Sequence, residues 1–386
     1  MTNTIFQNIQ RTGAIHDVPV SSEVRVPLTS HAPVVRCGQS VASGERIADA
    51  LCAGIGDAVA SVGGEVTYVD SRFICIRSGP QSSSVEPINL EELAGDALRD
   101  ALRRAGMDVV GLEHAPLLIV NGCEPEPGVL VGGELLEEHR KVLEKGLELA
   151  KKVVTPNRWV LAVDQGRRAE LADCEIVDVA ATYPNGLDPL VIKAVTGKEN
   201  PDGVAVIGVH RLYQLGRIAE TGLPATDTLL TIEGRNYKVR IGTSIASVLE
   251  AAGVAAHDGD RVVVGGPMRG EAAMNVMQGV DKDAYGLFVI PAGTYEPVSD
   301  APCVECGDCV RVCPSRIDPC MLSSYAEFRM FGLAEKNFVE ACMECGLCGY
   351  VCRARRPLLQ YIRLAKREIE HARECAVAAA LEGGLA

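Results

Sequence analysis

Alternation of hydrophobic and polar residues predicts short β-strands in the first 80 residues of the chain. The alternation is clearest at residues 23–27, 65–70 and 72–77, and glycines are frequent between these runs. Strands with one buried face alternate in this way, and glycines between them mark turns. We therefore expect residues 1–85 to form an all-β domain.

The segment at residues 31–48 resembles a barrel-sandwich hybrid, the shape of lipoyl and biotinyl carrier domains. Those carriers attach their cofactor to a lysine on an exposed hairpin, and the first lysine of this chain is Lys141. No prosthetic arm can therefore be attached in this domain. We expect it to serve as a scaffold or a docking piece.

Longer-period patterns predict an α/β domain at residues 86–225. Its predicted helices carry hydrophobic residues on one face, and its predicted strands are short apolar runs that end in loops. The expected elements are a helix within residues 90–106, a strand at 116–121, a long helix from Glu134 to Val153 and a strand at 158–163. Strands that alternate with helices are typical of an open parallel sheet.

The loop after the first of these strands is the candidate ligand site of the α/β domain. Ligands of open α/β sheets bind where strands end in loops, which here is the segment at residues 121–127. Glu124 and Glu126 in this segment can act as an acid, a base or a hydrogen-bond acceptor. Two acidic residues between prolines equally fit an exposed turn, and their chemistry alone does not decide between the two interpretations.

A third domain is predicted at residues 226–295. The expected elements are a hairpin at 228–242 with its turn at 234–236, a helix at 244–252, a strand at 261–264 and a glycine-rich segment at 265–270. A glycine-rich turn after a strand can hold a phosphate. This one contains a proline and no Lys-Ser/Thr pair, so it lacks the nucleotide-binding signature and a structural turn is favoured.

The charge of the chain argues against a nucleic-acid surface. The 386 residues include 38 basic and 51 acidic side chains, which makes the net charge −13. A local exception is the basic cluster from Arg353 to Arg367. We favour a solvated helix face for this cluster over a docking patch for an acidic partner.

Nothing in the sequence predicts export or a membrane span. The first 13 residues lack a basic region followed by an apolar core, and no run approaches the roughly 18 apolar residues that a membrane helix needs. The 15 cysteines are therefore expected to be reduced thiols and metal ligands. We expect a soluble, cytoplasmic protein that works at low oxygen.

Eight of the cysteines form two runs with the same spacing. The pattern C-x2-C-x2-C-x3-C begins at Cys303 and again 39 residues later at Cys342. In two-cluster proteins with this spacing, three close thiolates bind one [4Fe–4S] cluster and the fourth binds the other cluster. We therefore assign cluster 1 to Cys303, Cys306, Cys309 and Cys352, and cluster 2 to Cys342, Cys345, Cys348 and Cys313.

Zinc is the alternative for these cysteines. Zinc sites more often use C-x2-C pairs separated by a longer loop, so three cysteines at three-residue steps favour iron–sulfur clusters. Pro314 follows the first run, as in ferredoxins, whereas Arg353 follows the second. Cys320 lies outside both runs, and we expect both clusters to form without it. The two runs predict an electron-transfer protein.

The order of these parts resembles the RnfC family, which includes the C subunit of the Rnf ion-translocating complex and the cobalamin reductases of metabolic microcompartments. The matching segments are N-G-x-E-x-E-P at 121–127, Y-P-N-G at 183–186 with T-G-K-E at 196–199, V-V-G-G-P-M-R-G at 263–270, and residues 342–366. The resemblance implies a multidomain α/β and α+β protein. Its expected domains are a barrel-sandwich hybrid at 1–85, a Rossmann-like domain similar to the complex I flavoprotein subunit at 86–225, a β-grasp (SLBB) domain at 226–295 and a two-cluster ferredoxin-like helical domain at 296–386.

The chain departs from the catalytic members of this family at their flavin site. Those members bind FMN and accept hydride from NADH through a glycine-rich G-x-G-G-A-G-F-P-T loop, expected here between residues 94 and 114. These residues contain no such loop, and an aspartate expected shortly after Pro127 is also missing. Phosphate and flavin need free amides and close backbone approach. We therefore expect FMN to be absent, with Glu124 and Glu126 as a remnant of the FMN/NADH site.

Two functions follow from the resemblance. The first is an electron-transfer subunit without catalytic residues of its own, which relays electrons through two clusters between a partner flavoprotein or ferredoxin and a downstream reductase. Its partners are other redox subunits, and it is expected to lie at the periphery of a membrane complex. The second is an FMN-dependent NADH:acceptor oxidoreductase acting on ferredoxin or a corrinoid. The missing loop favours the relay.

Overall fold

The structure, a computed structural model, describes residues 14–79, 85–299 and 301–383, with the side chains of the last helix described up to residue 373. The expectation that the chain is not exported concerns the first 13 residues, which lie outside the described residues. The chain divides into two compact units, Met1–Ala292 and Gly293–Ala386. The domain boundaries expected within the first unit stay predictions.

Two antiparallel sheets share one apolar core near the start of the first unit. The strands up to residue 78 are β1 (Ile15–Asp17), β2 (Glu23–Pro27), β3 (His31–Pro33), β4 (Ser40–Val41), β5 (Arg46–Ala50), β6 (Ala58–Val59), β7 (Gly64–Val69) and β8 (Phe73–Ser78). One sheet has the order β2-β8-β7-β4 and the other β3-β5-β6. Val24 and Val26 of β2 are buried while their neighbours are not, as the alternating pattern predicts.

A four-stranded parallel sheet follows. Its elements are α1 (Gly95–Arg104), β9 (Leu117–Asn121), α2 (Val131–Glu138), α3 (Arg140–Val154), β10 (Arg158–Asp164), β11 (Glu175–Val179), α4 (Asp188–Thr196), β12 (Val204–Gly208) and α5 (Val209–Thr221). The strand order is β11-β10-β9-β12. α1, α2, α3 and α5 cover one face and α4 covers the other. A sheet buried on both faces explains why β9 is a continuous apolar run.

Two predicted helices in this region have different bounds. The helix expected within residues 90–106 begins at Gly95. The single helix expected from Glu134 to Val153 is two helices, because His139 leaves the helical conformation with φ −116° and ψ 26°. Leu135 of α2 and Leu143 of α3 are both fully buried in the same core. The break therefore lets both helices pack there, although neither glycine nor proline marks it.

The last part of the first unit is built on a six-stranded mixed sheet with the order β1-β14-β13-β17-β15-β16. Its further elements are β13 (Asp227–Ile232), β14 (Arg235–Arg240), α6 (Ile245–Ala252), β15 (Arg261–Val264), β16 (Glu271–Ala272) and β17 (Gly286–Ile290). The hairpin turn is Glu233–Gly234, with φ of 46° and 76°, rather than residues 234–236. Two central residues with positive φ form the two-residue turn that matches strand twist.

The second unit is helical. Its elements are α7 (Asp308–Val312), α8 (Pro319–Glu327), α9 (Phe331–Lys336), a 3-10 turn (Val339–Ala341), α10 (Leu347–Tyr350) and α11 (Leu358–Gly383). Leu322, Val339 and Ile362 are fully buried in its core. α11 runs beyond the expected end at His371, in line with the high helix propensity of the alanine-rich residues that follow. The chain is thus a mixed α/β multidomain protein.

No helix in the described ranges is both long and apolar enough to cross a bilayer.

Candidate iron–sulfur site and strand-end cavity

The two cysteine runs adopt the same backbone conformation. Glu305 and Glu344, each two residues after the first cysteine of a run, have φ of 54° and 55°. Gly307 and Gly346, each after the second cysteine, have φ of 71° and 75° and precede α7 and α10. Glycine adopts this left-handed conformation without steric cost. The repeated spacing in the sequence therefore reflects a repeated loop that bends each run back on itself.

The thiols gather around two cavities of the second unit. The first cavity has a volume of about 240 Å³, and its cysteines are Cys303, Cys306, Cys309, Cys320 and Cys352. The second cavity has a volume of only about 10 Å³, and its cysteines are Cys313, Cys342, Cys345 and Cys348. The last cysteine of each run thus faces the cavity formed by the first three cysteines of the other run.

Backbone amides donate hydrogen bonds to sulfur in both groups. Glu305 N lies 3.3 Å from Cys303 Sγ, and Glu344 N lies 3.4 Å from Cys342 Sγ. Such bonds stabilise a thiolate and tune the potential of a bound cluster. Burial raises the pKa of the Cys342 thiol to about 11 and that of Cys348 to about 12. Iron binding at these thiols must therefore release their protons.

The arrangement fits a polynuclear cluster better than a single metal ion. No three His, Cys, Asp or Glu side chains of the described residues converge as one ion requires. Zinc needs its sulfur ligands at about 2.3 Å from one point, whereas an iron–sulfur cluster is held by four thiolates around a larger core. Each of the two groups of thiols supplies four such ligands, and only the first group surrounds a cavity of appreciable volume.

The basic cluster after the last cysteine is bound to acidic residues of the same unit. Glu344 accepts hydrogen bonds from Arg363 Nε at 2.8 Å and from Lys366 Nζ at 3.0 Å, and Lys366 also donates to Cys342 O at 2.7 Å. Two further arginines have carboxylate partners, Arg353 with Asp308 and Arg356 with Glu327. The ion pairs of Glu344 with Arg363 and Lys366 tie α11 to the second cysteine run. Arg363 and Lys366 are therefore half-buried structural contacts rather than parts of a solvated face.

A second candidate site lies where the strands of the parallel sheet end. A cavity of about 700 Å³, here called the strand-end cavity, is lined by the loops after β9, β10 and β11. Asn121 at the end of β9 holds Gly186, which lines this cavity. Its Nδ2 donates to Gly186 O at 2.9 Å and to Asp188 Oδ1 at 2.7 Å. The N-G-x-E-x-E-P and Y-P-N-G segments are thereby brought into contact.

Glu124 lines the strand-end cavity and is paired with Arg167. Arg167 Nη2 lies 3.3 Å from Glu124 Oε1, and Gly133 N donates to the same oxygen at 2.8 Å. The Glu124 side chain is 14% exposed and the Arg167 side chain is 6% exposed. Burial raises the pKa of Glu124 to about 7, although Arg167 and the amide of Gly133 act to lower it. Glu124 is therefore close to its midpoint of ionisation at neutral pH.

Gly132 and Gly133 at the start of α2 leave room for this ion pair. A Cβ atom on Gly133 would lie 1.6 Å from Arg167 Nη1, and one on Gly132 would lie 3.1 Å from Glu124 Oε2. These glycines lie in the segment where the aspartate of catalytic relatives was expected. Arg167 was not among the residues predicted from the sequence, although it follows the end of β10 just as Glu124 follows the end of β9.

Glu126 holds the glycine-rich turn at residues 265–270. Its carboxylate accepts hydrogen bonds from Met268 N at 2.7 Å, Arg269 N at 2.9 Å and Tyr285 Oη at 2.5 Å, and the residue is 2% exposed. A Cβ atom on Gly266 would lie 2.2 Å from Glu126 Cδ, so a side chain there would displace the carboxylate. The turn thus binds a carboxylate of the protein itself.

The region expected to hold a flavin loop is a helix packed into the core. Leu98 and Leu102 of α1 are fully buried. Arg99 pairs with Glu113 at 3.0 Å, and Arg103 pairs with the buried Asp57 at 2.9 Å. Two of the three arginines of this helix therefore already have carboxylate partners.

Comparison with known proteins gives three results on sequence. A family model described as a 4Fe-4S dicluster domain matches residues 297–353. The C subunit of the Na(+)-translocating ferredoxin:NAD(+) oxidoreductase complex of Acetobacterium woodii is 28% identical over 91% of this chain and 90% of its own length. The C subunit of the proton-translocating ferredoxin:NAD(+) oxidoreductase complex of Clostridium ljungdahlii is 25% identical over 92% of this chain and 90% of its own length.

Among solved structures, the crystal structure of an NAD+-reducing [NiFe]-hydrogenase in the H2-reduced state matches with a TM-score of 0.44 and 16% identity, over 70% of this chain and 60% of that chain. The sequence relatives, by contrast, extend over more than nine tenths of the chain, and the dicluster domain coincides with the two cysteine runs. The resemblance to the RnfC family that the sequence predicts is therefore confirmed.

Proposed function

We propose that the chain is an electron-transfer subunit that holds two [4Fe–4S] clusters and passes electrons between a partner flavoprotein or ferredoxin and a downstream reductase. The observation that carries this proposal is the grouping of the thiols. Each cavity is lined by the first three cysteines of one run and the last cysteine of the other, which is the exchange that two-cluster ferredoxins use. When bound, the clusters supply one-electron chemistry, and the chain supplies their ligands and the amides that bind sulfur.

The partners that we propose are other redox subunits of one complex. The relatives are named as C subunits of ferredoxin:NAD(+) oxidoreductase complexes, and one member of such a complex must exchange electrons with its neighbours. We further propose that the chain works in the cytoplasm at the periphery of a membrane complex.

A second candidate function is an FMN-dependent NADH:acceptor oxidoreductase that reduces ferredoxin or a corrinoid. The volume of the strand-end cavity favours it. Its lining weighs against it, because four acidic side chains outnumber two arginines there, and a phosphate needs the opposite balance. Glu124 is paired with Arg167, and Glu126 is bound to the turn at residues 265–270. The relay remains the better-supported function.

Flavin content separates the two functions. The full chain, purified anaerobically, is expected to release no stoichiometric FMN on denaturation and to oxidise NADH at a negligible rate, while dithionite reduces its clusters. Recovery of about one FMN per chain, together with reduction of the clusters by NADH, would establish the flavoenzyme instead.

A further inference from the structure

The first cysteine cavity contains a fifth thiol. Cys320 Sγ lies 3.3 Å from Cys303 Sγ, and Cys320 lines the cavity together with the four cysteines assigned to cluster 1. Among the described residues, the four cysteines assigned to cluster 2 are the only cysteines that line the second cavity. The two groups are therefore unequal, although their cysteine runs have the same spacing and the same backbone conformation.

Cys320 is held on a better-anchored element than Cys303. It lies in the first turn of α8, where Asp318 caps the helix by accepting a hydrogen bond from Met321 N at 3.0 Å. Ser323 Oγ donates to Cys320 O at 2.8 Å. Cys303 belongs to the irregular segment before α7, and it is the exposed member of its group. The ligand most open to solvent thus has a neighbouring thiol in a fixed position.

We propose that Cys320 is a reserve ligand of cluster 1, which binds the iron atom of Cys303 when Cys303 is removed or chemically blocked. This inference rests on the proposed function, since it requires that cluster 1 forms. In the exchange, the iron–sulfur bond to Cys303 is lost and one to Cys320 Sγ forms. The Cys320 thiol gives its proton to solvent, and no electron is transferred. Cluster 1 therefore tolerates the loss of its exposed ligand, whereas cluster 2 has no such replacement among the described residues.

The test compares iron and acid-labile sulfide in four anaerobically reconstituted full-length variants with the wild type. Cys303→Ala is expected to keep about eight irons per chain, and Cys320→Ala alone is also expected to keep about eight. The double variant, Cys303→Ala with Cys320→Ala, is expected to lose cluster 1 and keep about four. Cys345→Ala is the matched control in the group without a fifth thiol, and it is expected to keep about four. The cluster that each of these last two variants retains shows that the unit has folded.

A second measurement is alkylation of the folded, reconstituted protein with iodoacetamide, followed by mass spectrometry. Cys320 is expected to react more slowly in Cys303→Ala than in the wild type, because only in that variant does iron hold its thiolate. Equal iron in Cys303→Ala and the double variant would overturn the reserve-ligand proposal, as would a three-iron cluster in Cys303→Ala with about seven irons per chain. Loss of cluster 1 in Cys320→Ala would also overturn it, because Cys320 would then be an obligatory ligand. A wild-type chain without iron would instead refute the proposed function itself.

Discussion

The cysteine groups of the second unit and the strand-end cavity of the first unit are built in different ways. Three ligands of each cysteine group lie within seven residues of sequence, on a loop bent by one glycine. In the strand-end cavity, Glu124 meets Arg167 across 43 residues and Glu126 meets Met268 across 142. The first arrangement presents side chains to a cofactor, whereas the second pairs the two glutamates with the protein itself. The two glutamates of the family-like segment at residues 121–127 are therefore bound by groups of the protein itself.

The largest predicted effect is the loss of whole clusters in double variants that test the crossed assignment. In a Cys320→Ala background, Cys313→Ala with Cys345→Ala should keep about four irons, because both residues are assigned to cluster 2. Cys313→Ala with Cys306→Ala should lose both clusters. The measurement is iron and sulfide per chain after anaerobic reconstitution. If each run instead held its own cluster, the two double variants would exchange these results.

Removing the Glu126 carboxylate should destabilise the first unit without affecting the clusters. Glu126→Ala leaves Met268 N and Arg269 N without their buried acceptor, which is expected to cost about 3 kcal/mol of unfolding free energy. Trp159, the single tryptophan, lies in β10, so its fluorescence during urea unfolding reports on the first unit. Tyr285→Phe is the milder matched variant and should cost about 1 kcal/mol. Loss of iron in Glu126→Ala would show that the two regions are not independent.

A side chain at Gly133 should disrupt the ion pair of Glu124 and Arg167. A Cβ atom there would lie 1.6 Å from Arg167 Nη1, so the buried guanidinium must move. Gly133→Ala is expected to cost about 1–3 kcal/mol in the tryptophan-monitored transition. Gly208→Ala is the control, because a Cβ atom on Gly208 has no atom within 4 Å. Equal stability of the two variants would mean that the guanidinium moves aside without cost.

The smallest predicted effect is a pH dependence from Glu124. Its pKa is raised from the ordinary 4.5 to about 7 in the folded protein, so its contribution to stability is fully present below about pH 4.5 and is lost as the pH rises through 7. Between pH 6 and pH 8 the wild type should lose about 1 kcal/mol of unfolding free energy relative to Glu124→Gln. The urea midpoints of both proteins, measured by Trp159 fluorescence at each pH, give this difference. A parallel pH response of the two proteins would contradict the raised pKa.

The parts of the structure that depend on neighbouring residues could be predicted from the sequence. The strands at residues 23–27 and 158–163 were expected because their apolar patterns are local. The β-hairpin was expected too, although its turn lies one residue earlier than the sequence predicts.

The parts that depend on tertiary contacts could not be predicted. The break at His139 lets α2 and α3 pack into the same core, and neither glycine nor proline marks it in the sequence. The partner of Glu126 is a turn on another sheet, and the contact of Cys320 with Cys303 depends on how α8 packs beside the first run. Arg167 is an intermediate case, since applying the strand-end rule to β10 as well as β9 would have pointed to it.

The metal content of the native protein tests the central claim most directly. Anaerobically purified full-length chain should contain about eight irons and about eight acid-labile sulfides, as two [4Fe–4S] clusters require. It should also show the broad visible absorbance of thiolate-to-iron charge transfer, which dithionite bleaches. A chain loaded with zinc, without sulfide and without that absorbance, would contradict the assignment of the cysteine runs to iron–sulfur clusters and the relay function built on it.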